Sequence, residues 1–208
     1  MTQQGRRAAP LPVSFFRQGA IAVARGLLGA SLVSRIGDLY TAGRIVEVEA
    51  YLGATDPASH AYQWRRHAQN TAIYGDPGTW YVYRAYGMHW CANLVTGPPG
   101  EGAAVLLRAV EPVTGTFHMR RRRGVESDRL LASGPGRLSV AFGITQAVNG
   151  EPMASSAVVV QAGEGALDAQ VLETPRIGIS RAADLPLRFV IRGSPWLSRR
   201  NPLAGDAG

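Results

Sequence analysis

The stretch from Arg44 to Leu52, reading RIVEVEAYL, constrains this chain more than any other. Valine, isoleucine and tyrosine recur at period two, which predicts a β-strand whose alternate side chains point to opposite faces. Val46, Val48, Ala50 and Leu52 then share an apolar face suited to a core, while Ile45, Glu47, Glu49 and Tyr51 share the other. The carboxylates on that second face leave two readings open. Half-buried strands commonly turn charges toward water, so the face is simply wet; or it lines a cleft, and one glutamate is chemically active.

Composition narrows the choice of class. A chain of 208 residues, 46% of them apolar, has room for one well-buried domain and little room for a second core. Its 25 glycines and 13 prolines point to many turns, hence a loop-rich α+β or mostly β structure. A single cysteine, Cys91, excludes an internal disulfide framework. No apolar run approaches a membrane span, and MTQQGRRAAP at the amino terminus lacks the apolar core of a signal peptide. A soluble, cytoplasmic protein with no membrane partner is expected.

Charge says more. Basic residues number 22 against 15 acidic ones, a net +7 with a pI near 10.3, and every basic residue is arginine. A basic domain favours polyanionic partners, with DNA or RNA first. GC-rich coding explains arginine in place of lysine but not the net excess. Without lysine there is no lysine Schiff base, no lysine general base and no phosphate-loop lysine. Hydrolysis here would use water activated by a carboxylate or histidine. His60, His67, His89, His118 and Cys91 lack close ligand spacing, so no bound metal is expected.

Along the chain, Ser14 is a candidate cap for a helix through about Leu28, with Ile21, Ala24, Leu27 and Leu28 at helical spacing. Leu32–Ile36 and Ala42–Tyr51 read as strands joined across Gly37-Asp38. The polar, irregular stretch from Gly53 to Gly78 is long enough for a functional loop. Trp80–Ala85 and Trp90–Val95 form the arms of a hairpin whose tip, Tyr86-Gly87-Met88-His89, carries large side chains that need a partner surface. Ala103–Val110 is a buried strand interrupted by Arg108, whose charge needs an anion such as Glu47 or Glu49. Thr114–Leu131 reads as a helix carrying Arg120–Arg123, a solvated face or a phosphate-tracking patch, with at least one arginine turned inward to pair. Ser133-Gly134-Pro135-Gly136-Arg137 opens another apolar-periodic run through Phe142 and offers a possible phosphate site. Leu187–Ile191 is strand-like, and Gly193-Ser194-Pro195 is a turn.

In order, GRIVEVEAYLG, SHAY, GTWYVYRAYGMHWCANLV, VLLRAVEP, SGPGRL, PRIGIS and RGSPWLS closely resemble the alkyladenine (3-methyladenine) DNA glycosylase family, the type not built on helix-hairpin-helix modules. The resemblance runs from about Leu11 to Arg199. It implies a single α+β domain over residues 11–199, a curved, mostly antiparallel sheet with flanking helices and a protruding DNA-intercalating β-hairpin, with flexible tails at 1–10 and 200–208. It also implies a monomer that flips damaged purines out of double-stranded DNA and hydrolyses the N-glycosidic bond without a cofactor.

Carried over by motif, Glu49 is the general base and Arg108 holds the water and the carboxylate. Tyr51, His60 and Tyr83 form the pocket around the flipped base, and Asn93 obstructs the exocyclic amino group of guanine. Tyr86 is the wedge, beside Met88 at the hairpin tip. A backbone carbonyl near Ile179 touches the water, and Glu47 is structural. His67-Ala68-Gln69-Asn70 departs from the T-P-R-N common in the family, a loss for which Arg65 and Arg66 are candidate replacements at DNA; Trp64 and Trp80 are bulkier than expected. Two rivals stay open: a lesion-binding protein on the same fold that no longer cuts, and a basic RNA-binding module.

Overall fold

The chain's organisation, in a computed structural model that describes residues 8–199, is set by one long strand. β1 (Ser31–Ser34) and β2 (Thr41–Tyr51) form the expected hairpin, turned through a short helical piece at Ile36–Asp38. β3 (Trp80–Ala85), β4 (His89–Thr96) and β5 (Ala103–Thr114) follow, then β6 (Val158–Gln161), β7 (Val171–Thr174) and β8 (Arg188–Ile191). All pair antiparallel in one sheet ordered β3-β4-β5-β2-β1-β6, with β8 joining β2 and β7 joining β8. The fold is thus α+β, a mostly antiparallel open sheet with few helices. Among the described residues no helix is long and apolar enough to cross a membrane.

Local irregularity in β2 places the site. The register Ile45↔Val110, Glu47↔Ala109, Val48↔Leu107 leaves Val46 on β2 and Arg108 on β5 without partners, a pair of compensating bulges. The strict alternation expected from the sequence therefore fails at Ile45, which is fully buried in the main core with Val46, Val48 and Ala50. The face carrying Glu47 and Glu49 is not wet either. Both carboxylates have no solvent exposure.

Two helices differ from expectation. The run from Ser14 to Leu28 splits into α1 (Val13–Phe16) and α2 (Ala20–Leu27), because Gly19 between them is extended (φ −62°, ψ 155°). α2 buries Ala20, Val23, Ala24 and Leu27 and leaves Ile21 in solvent. The run from Thr114 shortens to α3 (Thr116–Arg123), closed by Gly124 in the left-handed conformation (φ 64°), which a Cβ would penalise. α4 (Pro135–Phe142) starts on Pro135 at its first position and buries Leu138, Ala141 and Phe142. Gly136 lets it approach the hairpin, since a Cβ there would meet the His89 side chain at 2.9 Å.

The loop from Gly53 to Gly78 holds short helical turns at Gly53–Thr55, Tyr62–Trp64 and Ala68–Tyr74. Beneath it, Ala61, Ile73, Tyr74, Tyr81, Val95 and Ala104 form a second, smaller core. The expected tails fall largely on residues 1–7 and 200–208, outside the described residues. Pro10, however, bridges Gln161 at the end of β6.

Candidate active site

A cleft of about 1440 Å³ is bounded by the β3–β4 hairpin, the 58–69 loop, the start of α4 and residues 177–179. That exceeds the ~300–1,000 Å³ of a small-molecule pocket, so the space suits part of a larger polymer as well as one inserted group. Tyr51, His60, Tyr81, Tyr83, Asn93 and Arg108 all line it. Glu49 itself lies beneath the wall, covered by three donors. Tyr51 donates its hydroxyl (3.0 Å) and Arg108 its Nη1 (3.2 Å) to Oε2, and the Ile177 backbone N–H donates to Oε1 (2.7 Å).

The bulge at Arg108 explains how one guanidinium serves two carboxylates. Released from the ladder, its Nε donates to Glu47 Oε1 (3.0 Å) while Nη1 reaches Glu49. Glu47 is fully engaged besides: Arg188 Nε donates at 2.8 Å, and Ser198 donates from both N and Oγ at 2.6 Å. Burial alone would raise the Glu47 pKa, but Arg108 and Arg188, with hydrogen bonds from Arg188 and Ser198, hold it below its ordinary value. For Arg108, burial opposes the charge and the two glutamates more than restore it. Burial, then the Glu49 carboxylate, keeps the Tyr51 phenol protonated well above its usual range.

A second buried pair braces the wall. Arg176 grips Asp56 through two bonds (2.5 and 2.9 Å), donates to Ala50 O (3.0 Å) and lies over the Tyr51 ring at 4.7 Å. Asp56 in turn accepts the N–H groups of Leu52 and Ala58. The pair thus ties together the end of β2, the loop leading to His60 and the segment that presents Ile177. Sequence reasoning gave no role to Asp56, Arg176, Arg188, Ser198 or the Ile177 N–H, although PRIGIS holds Arg176 and Ile177 and RGSPWLS holds Ser198.

Tyr81 was also missed, although it sits two positions from Tyr83 on one strand and shares its face. Its hydroxyl lies 2.7 Å from His60 Nδ1, and its ring stacks on Tyr83 at 5.4 Å; His60 meets Tyr83 edge-on at 4.5 Å. Desolvation, followed by the neighbouring His67, lowers the His60 pKa, so the imidazole is neutral near pH 7. Asn93 is held at the wall by Nδ2 donating to Tyr81 O (2.9 Å).

The remaining candidates lie outside this cluster. Tyr86 (84% exposed) and Met88 (67%) stand at the hairpin tip, where Tyr86 and Gly87 both take the positive φ of a primed hairpin turn. Arg65 and Arg66 are exposed on the 58–69 loop, and Arg66 lies over Tyr74 at 3.8 Å. Trp80 is fully buried, its Nε1 donating to Val158 O, and so is spent on the core. The arginine run is largely spent on structure: Arg120 binds Glu126 O and Asp128, Arg122 binds Ala141 O and Ile36 O, and Arg123 binds Leu131 O. Gly134–Arg137, the possible phosphate site, does line the cleft.

Known proteins place this architecture. The model of the methylpurine-DNA glycosylase family matches residues 14–195. The chain belongs to that family. A relative in Methanoculleus marisnigri, named "Putative 3-methyladenine DNA glycosylase", is 47% identical over 193 residues, covering 91% of this chain and 99% of its own. Relatives of the same name in Koribacter versatilis and Nitrosospira multiformis are 45% and 46% identical over 94% and 88% of this chain, and 96% and 91% of theirs. The family makes this chain a DNA glycosylase, a hydrolase of N-glycosyl bonds in DNA repair.

Proposed function

We propose that the chain extrudes an alkylated or deaminated purine from duplex DNA into the cleft and hydrolyses its N-glycosidic bond with water activated by Glu49, leaving an abasic site. The observation that carries this reading is the hydrogen-bond count at Glu49. A carboxylate offers about four lone-pair sites, and Glu49 has three donors beside an aromatic-lined cleft. Of those donors, Arg108 is anchored by Glu47 and Ile177 contributes backbone, so Tyr51 is the one that can turn away. A base stacked on Tyr51, His60 and Tyr83 would draw its ring into the cleft and admit water to Glu49.

The chemistry follows from that contact. Water attacks C1′ as the bond to the purine breaks, the sugar passes through an oxocarbenium-like state, and Glu49 accepts the proton while its charge stabilises the sugar. Arg108 places its positive charge against the Glu49 carboxylate through Nη1. Neutral His60 and the tyrosine faces accept a cationic alkylpurine without repulsion, and Asn93 screens the base edge. Tyr86 fills the space vacated in the stack, with Met88 beside it, while Arg65 and Arg66 meet phosphates. With no lysine to form an imine, strand cleavage is not expected.

Single-turnover base release from duplexes carrying hypoxanthine, ethenoadenine or 7-methylguanine tests this. Release by the parent and none by Glu49→Gln supports it. Equal release by both would remove Glu49 from the mechanism, and tight lesion binding without release by either would favour a sensor.

A further inference from the structure

Five non-glycine residues among those described adopt positive φ: Asp38, Gln63, Trp64, Tyr86 and Ala182. Aspartate tolerates that conformation, but an aromatic side chain is a poor choice for it. Two of the five are aromatic, and both stand in solvent, Tyr86 at 84% and Trp64 at 59% exposure. Tyr86 is the hairpin wedge of the proposed function. Trp64 has no assigned role.

Its position is odd on energetic grounds. Gln63 (φ 53°) and Trp64 (φ 61°) are consecutive, so the loop makes a turn for which glycine is the low-strain occupant. A tryptophan there would be explained if its ring were buried. It is 59% exposed, so among the described residues burial of the ring does not offset the strain. The backbone is nevertheless held firmly. Trp64 N donates to Ala61 O (2.9 Å), while Arg65 O accepts from Tyr74 Oη (2.5 Å) and from the buried Asn70 Nδ2 (2.9 Å). Asn70 also donates to His60 O (3.0 Å) and accepts from His67 N (2.9 Å), closing the loop like a rivet. On both sides of Trp64 this loop supplies cleft wall, at Ala58–His60 and at His67–Gln69. An exposed aromatic on a pinned turn, followed at once by Arg65 and Arg66, is a surface shaped for a polyanion with flat groups.

We propose that Trp64 is a second DNA-gripping aromatic, stacking on a nucleotide that flanks the extruded one while Arg65 and Arg66 meet adjacent phosphates. The inference rests on the cleft being the DNA face, as in the proposed function. Trp64 would then hold the substrate strand from the 58–69 loop, adding affinity rather than taking part in the chemistry.

The test uses the full chain and three variants, Trp64→Gly, Trp64→Ala and Trp64→Phe. Binding is measured on an undamaged duplex and on the same duplex with one tetrahydrofuran abasic analogue, alongside thermal unfolding and single-turnover base release at saturating enzyme. Aromatic–base stacking of the usual strength predicts affinity losses of roughly five- to a hundredfold for Trp64→Gly and Trp64→Ala, and less than threefold for Trp64→Phe. Trp64→Gly should melt no lower than the parent, since it relieves the strained φ, and the saturated release rate should stay within twofold. Affinity within twofold of the parent in the Gly and Ala variants would overturn the proposal. So would a Trp64→Gly variant that melts well below the parent, because the ring would then be structural. If the parent released no base, the glycosylase reading would fail while the binding comparison still decided the role of Trp64.

Discussion

Glu47 and Glu49 sit two residues apart on β2, are equally buried and share one arginine, yet their surroundings differ in kind. Glu47 accepts four hydrogen bonds, three at Oε1 from Arg108, Arg188 and Ser198 Oγ and one at Oε2 from Ser198 N, all from groups anchored in the fold. Glu49 accepts three, and one of them comes from Tyr51, whose side chain lines the cleft. Burial and charge pairing therefore do not separate the structural from the reactive carboxylate of the proposed function; the Tyr51 contact at the cleft wall does.

Breaking each side of that contrast should give opposite phenotypes. The largest effect is expected for Glu49→Gln, which should lower single-turnover release by about 10²–10⁴-fold, the usual worth of a general base, while lesion-duplex affinity is retained. Glu47→Gln should instead destabilise the fold by about 3–5 kcal/mol in urea unfolding, because Arg108 and Arg188 lose a buried counter-charge. Smaller again is Tyr86→Ala, for which titration with lesion duplex should show weaker binding by about tenfold, a stacking-sized loss. Tyr51→Phe should be the mildest, with release kept within about tenfold, if its hydroxyl covers Glu49 rather than reacting.

Acid unfolding sharpens the same comparison. The folded pKa of Glu47 lies below its ordinary value of 4.5. Above about that pH both folded and unfolded chains are ionised at this group and its stabilisation is complete. As pH falls below it, the unfolded chain takes up the proton first, and stability declines until the folded pKa is passed. Urea midpoints measured across that window should fall in the parent, and Glu47→Gln should lose this contribution to the slope.

Much of this was legible in residue patterns. Period-two alternation marked β2, two β-rich arms marked the β3–β4 hairpin, and the arginine in an apolar strand demanded an anion that Glu47 and Glu49 both supply. The alternation misassigned Ile45 because a bulge adds a residue, and nothing in RIVEVEAYL announces one. Helix ends were missed at Gly19 and Gly124, where a single extended or left-handed residue outweighs the propensity of its neighbours. The partners that distinguish Glu47 from Glu49 were not legible at all. Ser198 lies 151 positions from Glu47 and Ile177 lies 128 from Glu49, so only the closed fold brings them together.

The most direct test of the contrast is single-turnover release of hypoxanthine from duplex DNA by Glu47→Gln and Glu49→Gln side by side, at a temperature where circular dichroism shows both folded. The account predicts release by the Glu47 variant within about tenfold of the parent and a loss of at least about a hundredfold in the Glu49 variant. Loss of release in both to the same degree, with both folded, would contradict it, since the two carboxylates would then act as one unit.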